Sequence, residues 1–317
     1  MKSAKKLTAI VAGLAVSSSI FTGVANAAPD PVTGVELNVP LNRTVTLDVI
    51  SKEGAEFQQA LREIRAEMWD KNVPFEGTSL REAAKKAGYQ SKDAYVNAAK
   101  VDSSLSYISL QRAAENVALG GIQHARPINN ACQIDDCTSI WSAKRNGEQS
   151  WGENLSSSGN LRNSIIQLWG RGEESALRAS RGEFNDHSGH LWLMINPKYT
   201  AYGAANGFSH VNGALREVSV MEASYMRQGD GKTLPDARRQ IKVADNGKIR
   251  PGAFPSDANP GTVAPQDNTG GMDLSGLLGS LGNGESGKIF GIIAGVVGAL
   301  AALGIIANFL MQNFGPR

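Results

Sequence analysis

Residues 187–223, HSGHLWLMINPKYTAYGAANGFSHVNGALREVSVMEA, set the fold class of this chain. They contain three apolar runs, Leu191–Ile195, Thr200–Ala205 and Ala214–Ala223, separated by the turn-forming dipeptides Asn196-Pro197 and Asn212-Gly213. Short apolar runs bounded by such turns read as β-strands. The sequence upstream has a different period. Phe57, Leu61, Ile64 and Met68 recur at helical spacing with Glu and Arg between them, until Pro74 and Gly77 break the pattern. Ser79 with Glu82 forms a capping box for a short helix that Gly88 ends, and Ser91 reads as the N-cap of another through Asn97. Tyr107, Leu110, Ala114 and Val117 mark a further amphipathic helix ending at Gly120-Gly121. Leu161, Ile165, Leu168 and Trp169 mark the last one, beyond the loop-like stretch 125–152. Thr44–Ile50 alternates enough for a short strand. Helices followed by strands is the order of an α+β fold or a three-layer α/β/α arrangement, rather than a βαβ alternation.

The two ends of the chain carry addresses. Lys2, Lys5 and Lys6 precede the mostly small and apolar run Leu7–Val24, and Ala25-Asn26-Ala27 puts small residues before Ala28. That is the pattern of a signal peptide, residues 1–27, with the mature chain starting at Ala28. At the other end, Ile289–Ala307 has no charged or polar side chain. The expected transmembrane helix is 289–311, close to the ~20 residues that span a ~30 Å hydrocarbon core. Residues 312–317 form a short cytoplasmic tail. Between domain and span, Gln228–Gly271 holds Pro235, Pro251, Pro255, Pro260 and Pro265 among Asp, Asn and Gly, and 226–288 reads as a disordered Pro/Gly-rich linker. The expectation is a single-pass cell-membrane protein of a bacterial envelope, with its bulk outside.

Charge and cysteine content narrow the chemistry. With 32 basic and 30 acidic side chains the net charge is +2, so no basic excess argues for a nucleic-acid partner. Cys132 and Cys137 both lie in the exported part, where a close pair oxidises, so a local disulfide is expected. Neither GxSxG nor HExxH is present. The histidines are His124, His187, His190 and His210. His124 follows a helix end and a Gly pair, Glu153 sits in Trp151-Gly152-Glu153-Asn154-Leu155, and Glu173 and Glu174 come a helical turn after Trp169. Imidazole plus carboxylate can bind zinc or move protons. Taken singly, each such group is more often a cap or a surface residue.

The order of these segments resembles a known family. Tyr95–Ala99, Leu105–Glu115, His124-Ala125-Arg126-Pro127, Gly152-Glu153-Asn154-Leu155, Ile165–Trp169 with Glu173/Glu174, and Gly189-His190-Leu191 through Ile195-Asn196-Pro197 to Tyr202-Gly203 resemble the CAP superfamily, the cysteine-rich secretory, antigen 5 and pathogenesis-related proteins. The likeness is to its bacterial SCP-like extracellular branch. It covers residues 95–225, with 28–94 as an N-terminal extension packed on that domain.

The resemblance implies a CAP-like α–β–α sandwich whose cleft is lined by two His and two Glu. Here these are His124, Glu153, His190 and a second glutamate. The family pattern would put that glutamate at Gly172, so it falls to Glu174, with Glu173 as the alternative and His187 as an outside candidate histidine. It further implies a divalent metal, zinc first, and a lipid or envelope-protein ligand. The expected function is an envelope binding module. The alternative is a metal-dependent hydrolase of an envelope component, with Glu153 or its counterpart as general base. A third reading gives Thr44–Ala87 a partner-binding role. Trp169 and Trp192 read as core.

Overall fold

The computed structural model describes residues 28–52, 54–128 and 139–251. The expected signal peptide (1–27), Cys132 and Cys137, the transmembrane segment 289–311 and the tail 312–317 lie outside the described residues. Among the described residues no helix is long and apolar enough to cross a membrane.

The chain is a mixed α+β fold built on one main sheet. Strand β1 (Thr44–Lys52) leads into helix α1 (Gly54–Asp70), and the small hairpin β2 (Pro74–Phe75) and β3 (Thr78–Ser79) leads into α2 (Leu80–Lys86). The Ser79/Glu82 capping box opens α2, with the Ser79 side chain accepting from the Glu82 N–H. Ser91 caps α3 (Lys92–Ala98) in the same way. Strand β4 (Lys100–Val101) is followed by α4 (Ser103–Leu119), whose N-cap Asp102 accepts from the Leu105 N–H. After the loop come β5 (Gly152–Ser156), the single turn α5 (Leu161–Asn163), a π-turn over Ser164–Leu168 and a 3-10 turn over Arg171–Glu173. Helices α6 (Glu174–Ala179) and α7 (Gly189–Ile195) precede the long strands β6 (Ala201–Val211) and β7 (Ala214–Ser224), and β8 (Ala237–Ala244) completes the set.

The strand order is β5-β7-β6-β1-β8, antiparallel throughout, with β4 added parallel to β6. Successive residues of a strand face opposite sides, and both sides are covered. Tyr202, Ala204, Met221 and Ala223 face one core with Phe57, Leu61 and Ile64 of α1, Tyr95 of α3, Ile165 and Trp169, and Met194 of α7. Ala205, Val218, Val220, Leu47, Val49, Ile241 and Val243 face the other, which is filled by Leu110, Ala113, Ala114 and Val117 of α4. Gly203 is where α4 comes closest, since a Cβ there would lie 2.1 Å from the backbone of Leu105 and Ser106.

Three expectations change. Leu191–Ile195 is the helix α7 and not a strand. All of its apolar residues but Trp192 are buried, and an apolar run buried on all sides does not reveal its period. What holds it helical comes from elsewhere in the chain. The last carbonyls of a helix have no partners of their own. Here the Tyr95 hydroxyl donates to Ile195 O (2.6 Å), the Arg65 guanidinium to Met194 O (2.8 Å) and the Tyr202 hydroxyl to Leu193 O (3.2 Å).

The reading of 226–288 as linker is corrected at its start, because Ala237–Ala244 is a strand in register with β1 from Thr44↔Ala244 to Ser51↔Ala237. Only Ile241 and Val243 alternate inward. Arg238, Arg239, Gln240 and Lys242 around them gave the segment its soluble appearance, as charged groups do on an edge strand.

Residues 28–94 are part of the same body rather than an addition to it. β1 lies between β6 and β8, and the buried Asp30 carboxylate accepts from the Val32, Thr33 and Lys242 backbone N–H groups. With Ile241 fully buried, Ile241→Ala should lower unfolding free energy by about 2–5 kcal/mol in a urea titration. A change near zero would mean that β8 is not part of the cooperative core.

Candidate functional site

The site starts at the end of α4. Gly120 closes the helix in the left-handed conformation (φ 79°, ψ 25°), as a C-cap glycine does. The Gln123 N–H then donates to the buried Asn116 side chain (2.7 Å), which turns the chain back and delivers His124 to the edge strand β5. There His124 Nδ1 lies 2.8 Å from Glu153 Oε1. The Glu153 side chain is fully buried, while the His124 side chain is 45 % exposed.

Arg112, fully buried, organises the pair. Its Nε donates to Glu153 Oε2 (2.8 Å) and its Nη1 to Glu115 Oε2 (2.6 Å). Its Nη2 donates to the carbonyls of Gln123 (2.9 Å) and His124 (2.8 Å) and makes a longer contact with Glu153 Oε1 (3.4 Å). Glu115 in turn receives Arg126 through Nη2 (2.6 Å), and Arg126 also donates to the carbonyls of Ser142 and Glu36. Two guanidiniums thus meet two carboxylates out of water. Breaking one arm of such a buried cluster leaves an uncompensated charge.

A third carboxyl completes this face. Glu222 on β7 is the cross-strand neighbour of Glu153 on β5, is 1 % exposed, and among the described residues has no hydrogen-bond partner at either oxygen. Burial and the charge of Glu153 push its pKa well above the usual 4.5. Of the two facing carboxyls it is the one whose protonated form burial and its neighbour's charge favour. Burial works to raise Glu153 as well, but the Arg112 charge and the His124 hydrogen bond outweigh it and hold that carboxyl at about 2. Glu115 is likewise held below its ordinary value, Arg126 and Arg112 overcoming its burial.

The second pair is His190 with Glu173. His190 Nδ1 lies 2.5 Å from Glu173 Oε1, and the other Glu173 oxygen accepts the Leu191 N–H (3.0 Å) at the start of α7. The His190 ring stacks on Trp169 (5.9 Å between centroids), whose indole N–H donates to Leu155 O on β5. The assignment to Glu174 is corrected. That residue turns away to Lys71 (2.6 Å) and Arg178 (2.9 Å), and Glu173 takes the place beside the histidine. The π-turn and 3-10 turn shift the register here. Gly170 and Gly172 let the backbone close on Ile165 O and Gln167 O, where a Cβ would clash at 2.6 and 2.8 Å.

The expected four residues form two pairs. Glu153 and Asn154 are consecutive in β5 and so project to opposite faces. Glu153 meets Arg112 and His124, whereas Asn154 donates to the His190 carbonyl (3.2 Å). Among the described residues no group of three or more His, Cys, Asp or Glu is placed to hold a metal ion. Both Glu153 oxygens are already engaged. The four side chains therefore do not fit as a four-donor zinc cage. His187 is exposed in the turn before α7, and His210 lies on β6 opposite Leu215. Arg112, Arg126, Glu115 and Glu222 were not singled out from the sequence. The available signals were an Arg and Glu three apart on an apolar helix, and a single acid inside Val220-Met221-Glu222-Ala223. No protein-family model matches the chain, and no curated protein or solved structure does either.

The two carboxyls act on stability in opposite directions. Glu222 has a raised pKa in the fold, so the native state binds the extra proton and stability falls as pH rises above about 4.5. Glu153 has a depressed one, so its contribution is full above about 4.5 and is lost as pH falls toward 2. Urea melts from pH 4 to 8 should show Glu222→Gln flattening the decline on the alkaline side. Glu153→Gln should cost about 3–5 kcal/mol at neutral pH. A Glu222→Gln profile parallel to wild type would remove the buried proton from the account.

Proposed function

We propose that this protein is an exported, membrane-anchored CAP/SCP-like module of the cell envelope that binds a lipid through its His/Glu surface. The observation that carries the reading is the pair of half-exposed imidazoles, His124 and His190, each tied at Nδ1 to a carboxylate. A sheet covered by helices on both faces supports the α–β–α sandwich expected of that family, as does the position of the GENL segment on the edge strand β5.

The preference for lipid over a protein ligand comes from what adjoins His124. Immediately before it in the chain lies a shallow depression of about 260 Å³ walled by Val117, Gly121, Ile122, Leu215 and Arg216. Ile122 is 45 % and Leu215 51 % exposed, large apolar groups left in water, and Ile122 stands two residues before His124 in the chain. An amphiphile matches both halves, its polar end on the imidazole and its chain over Ile122 and Leu215.

Intact mass of the protein extracted from membranes should correspond to a chain starting at Ala28 that still carries the 289–311 span. The full-length protein purified in detergent should retain lipid detectable by mass spectrometry. Ile122→Asp with Leu215→Asp should reduce it at least tenfold, since the apolar contact of two aliphatic side chains is lost. Lipid content equal to that of an unrelated single-span protein in the same detergent would sink the lipid reading, and capture of one stoichiometric envelope protein instead would favour a protein ligand.

A further inference from the structure

A carboxylate that is ionised can only accept hydrogen bonds. Glu153 is held in that state by a guanidinium with no exposed atom, Arg112 Nε donating to Oε2 at 2.8 Å. The nitrogen facing its other oxygen, His124 Nδ1 at 2.8 Å, must therefore be the donor. A neutral imidazole carries one proton, so a proton fixed on Nδ1 leaves Nε2 with a bare lone pair. That nitrogen belongs to the half-exposed part of the ring, because the Nδ1 edge is turned to a fully buried carboxylate.

The backbone is fixed by the same group. Arg112 Nη2 donates to the carbonyls of both Gln123 and His124, so the loop that carries the imidazole and the carboxylate that orients it share one guanidinium. Glu115, itself tied to Arg126, locks the remaining Nη1. A lysine has a single ammonium and could not span these acceptors in the planar fork that arginine provides.

We propose that Arg112 is the positioning residue of this site, that it makes Glu153 the orienting group of His124 rather than a ligand in its own right, and that the site therefore recognises a hydrogen-bond donor, a hydroxyl or primary ammonium headgroup, through the His124 Nε2 lone pair. The proposal rests on the lipid-binding reading for the identity of the ligand, but the role of Arg112 stands on the geometry by itself. His190 provides a built-in comparison. It has the same Nδ1–carboxylate contact, made to Glu173, and among the described residues no arginine is hydrogen-bonded to that carboxylate.

The test is two-bond ¹H–¹⁵N NMR of the full-length chain in detergent micelles, labelled at histidine and recorded where the imidazoles are neutral. The four ring systems are assigned by single His→Gln variants. Wild type should show His124 as the Nδ1–H tautomer, and Arg112→Lys should shift it toward the Nε2–H form while His190 stays unchanged, which reports that the fold persists. If Arg112→Lys fails to fold, Arg112→Met with Glu153→Leu removes both charges together, and His124 should again become Nε2–H. An Nε2–H tautomer in wild type overturns the proposal, as does a tautomer unmoved in whichever variant folds.

The ligand class is read separately, with lysophosphatidylethanolamine against lysophosphatidylcholine of the same chain length. The ammonium headgroup should bind at least fivefold more tightly, and this preference should vanish in Arg112→Lys or in the double variant. Equal affinity overturns the donor assignment. If neither lysolipid binds, the lipid reading fails, whereas the tautomer still decides the role of Arg112.

Discussion

A guanidinium taken wholly out of water must be met by charge and by acceptors on every side, and Arg112 imposes that requirement on α4, β5 and the turn after Gly120. Two elements and a loop converge to satisfy it: α4 supplies Glu115, β5 supplies Glu153, and the turn after Gly120 supplies two carbonyls. Arg126 balances the second acid, and burial with the charge of Glu153 raises the pKa of Glu222 above its ordinary value. Replacing any one partner changes the charge state of the rest, so these residues act as a unit. The exposed imidazole is the one member of the unit that solvent can reach, and its placement follows from the interior rather than from the surface around it.

Much of the fold could be read directly from the sequence. The Ser79 and Ser91 caps, the four-residue spacing of α1 and the Asn212-Gly213 turn between β6 and β7 are local signals, complete within a few residues of chain. The failures share a different cause. Helix α7 owes its form to Arg65, Tyr95 and Tyr202, side chains brought from α1, α3 and β6 to its C-terminal carbonyls. Strand β8 owes its form to β1, nearly two hundred positions earlier in the register pairs Thr44↔Ala244 to Ser51↔Ala237. Nothing within either segment announces those partners. Where the structure of a segment is decided at long range, hydrophobic period alone is silent.

The site shows the same division. His124, Glu153 and His190 could be picked out by residue type and by their motifs. Which carboxylate serves which histidine could not, because the register after Trp169 depends on a π-turn and two close glycines that a regular helix would not contain. Sequence also gave no reason to connect Arg112 with a residue on β5, since the pair becomes neighbours only when α4 lies across the sheet. The charged residues that determine how the histidine behaves were thus the hardest to see, being spread along an apolar helix and an apolar strand.

The strand order has a mechanical meaning. β5, which carries Glu153, and β8 are its two outermost strands, with β7, β6 and β1 between them, and after β8 the chain returns to the end of β6, where the Asn212 N–H donates to Arg250 O (2.6 Å) and Val211 bridges Pro251. A pull on the chain beyond Pro251 would arrive first at this bridge, and only once it had opened would Asp245 part from Arg43 and Ala244 from Thr44. Asp30, bonded to the Lys242 N–H, would act as a later stitch. From β6, where the load enters, one strand, β7, separates it from β5 and Glu153. The return of Arg250 and Pro251 to β6 thus works as a clasp that must open before β8 at the sheet margin is loaded.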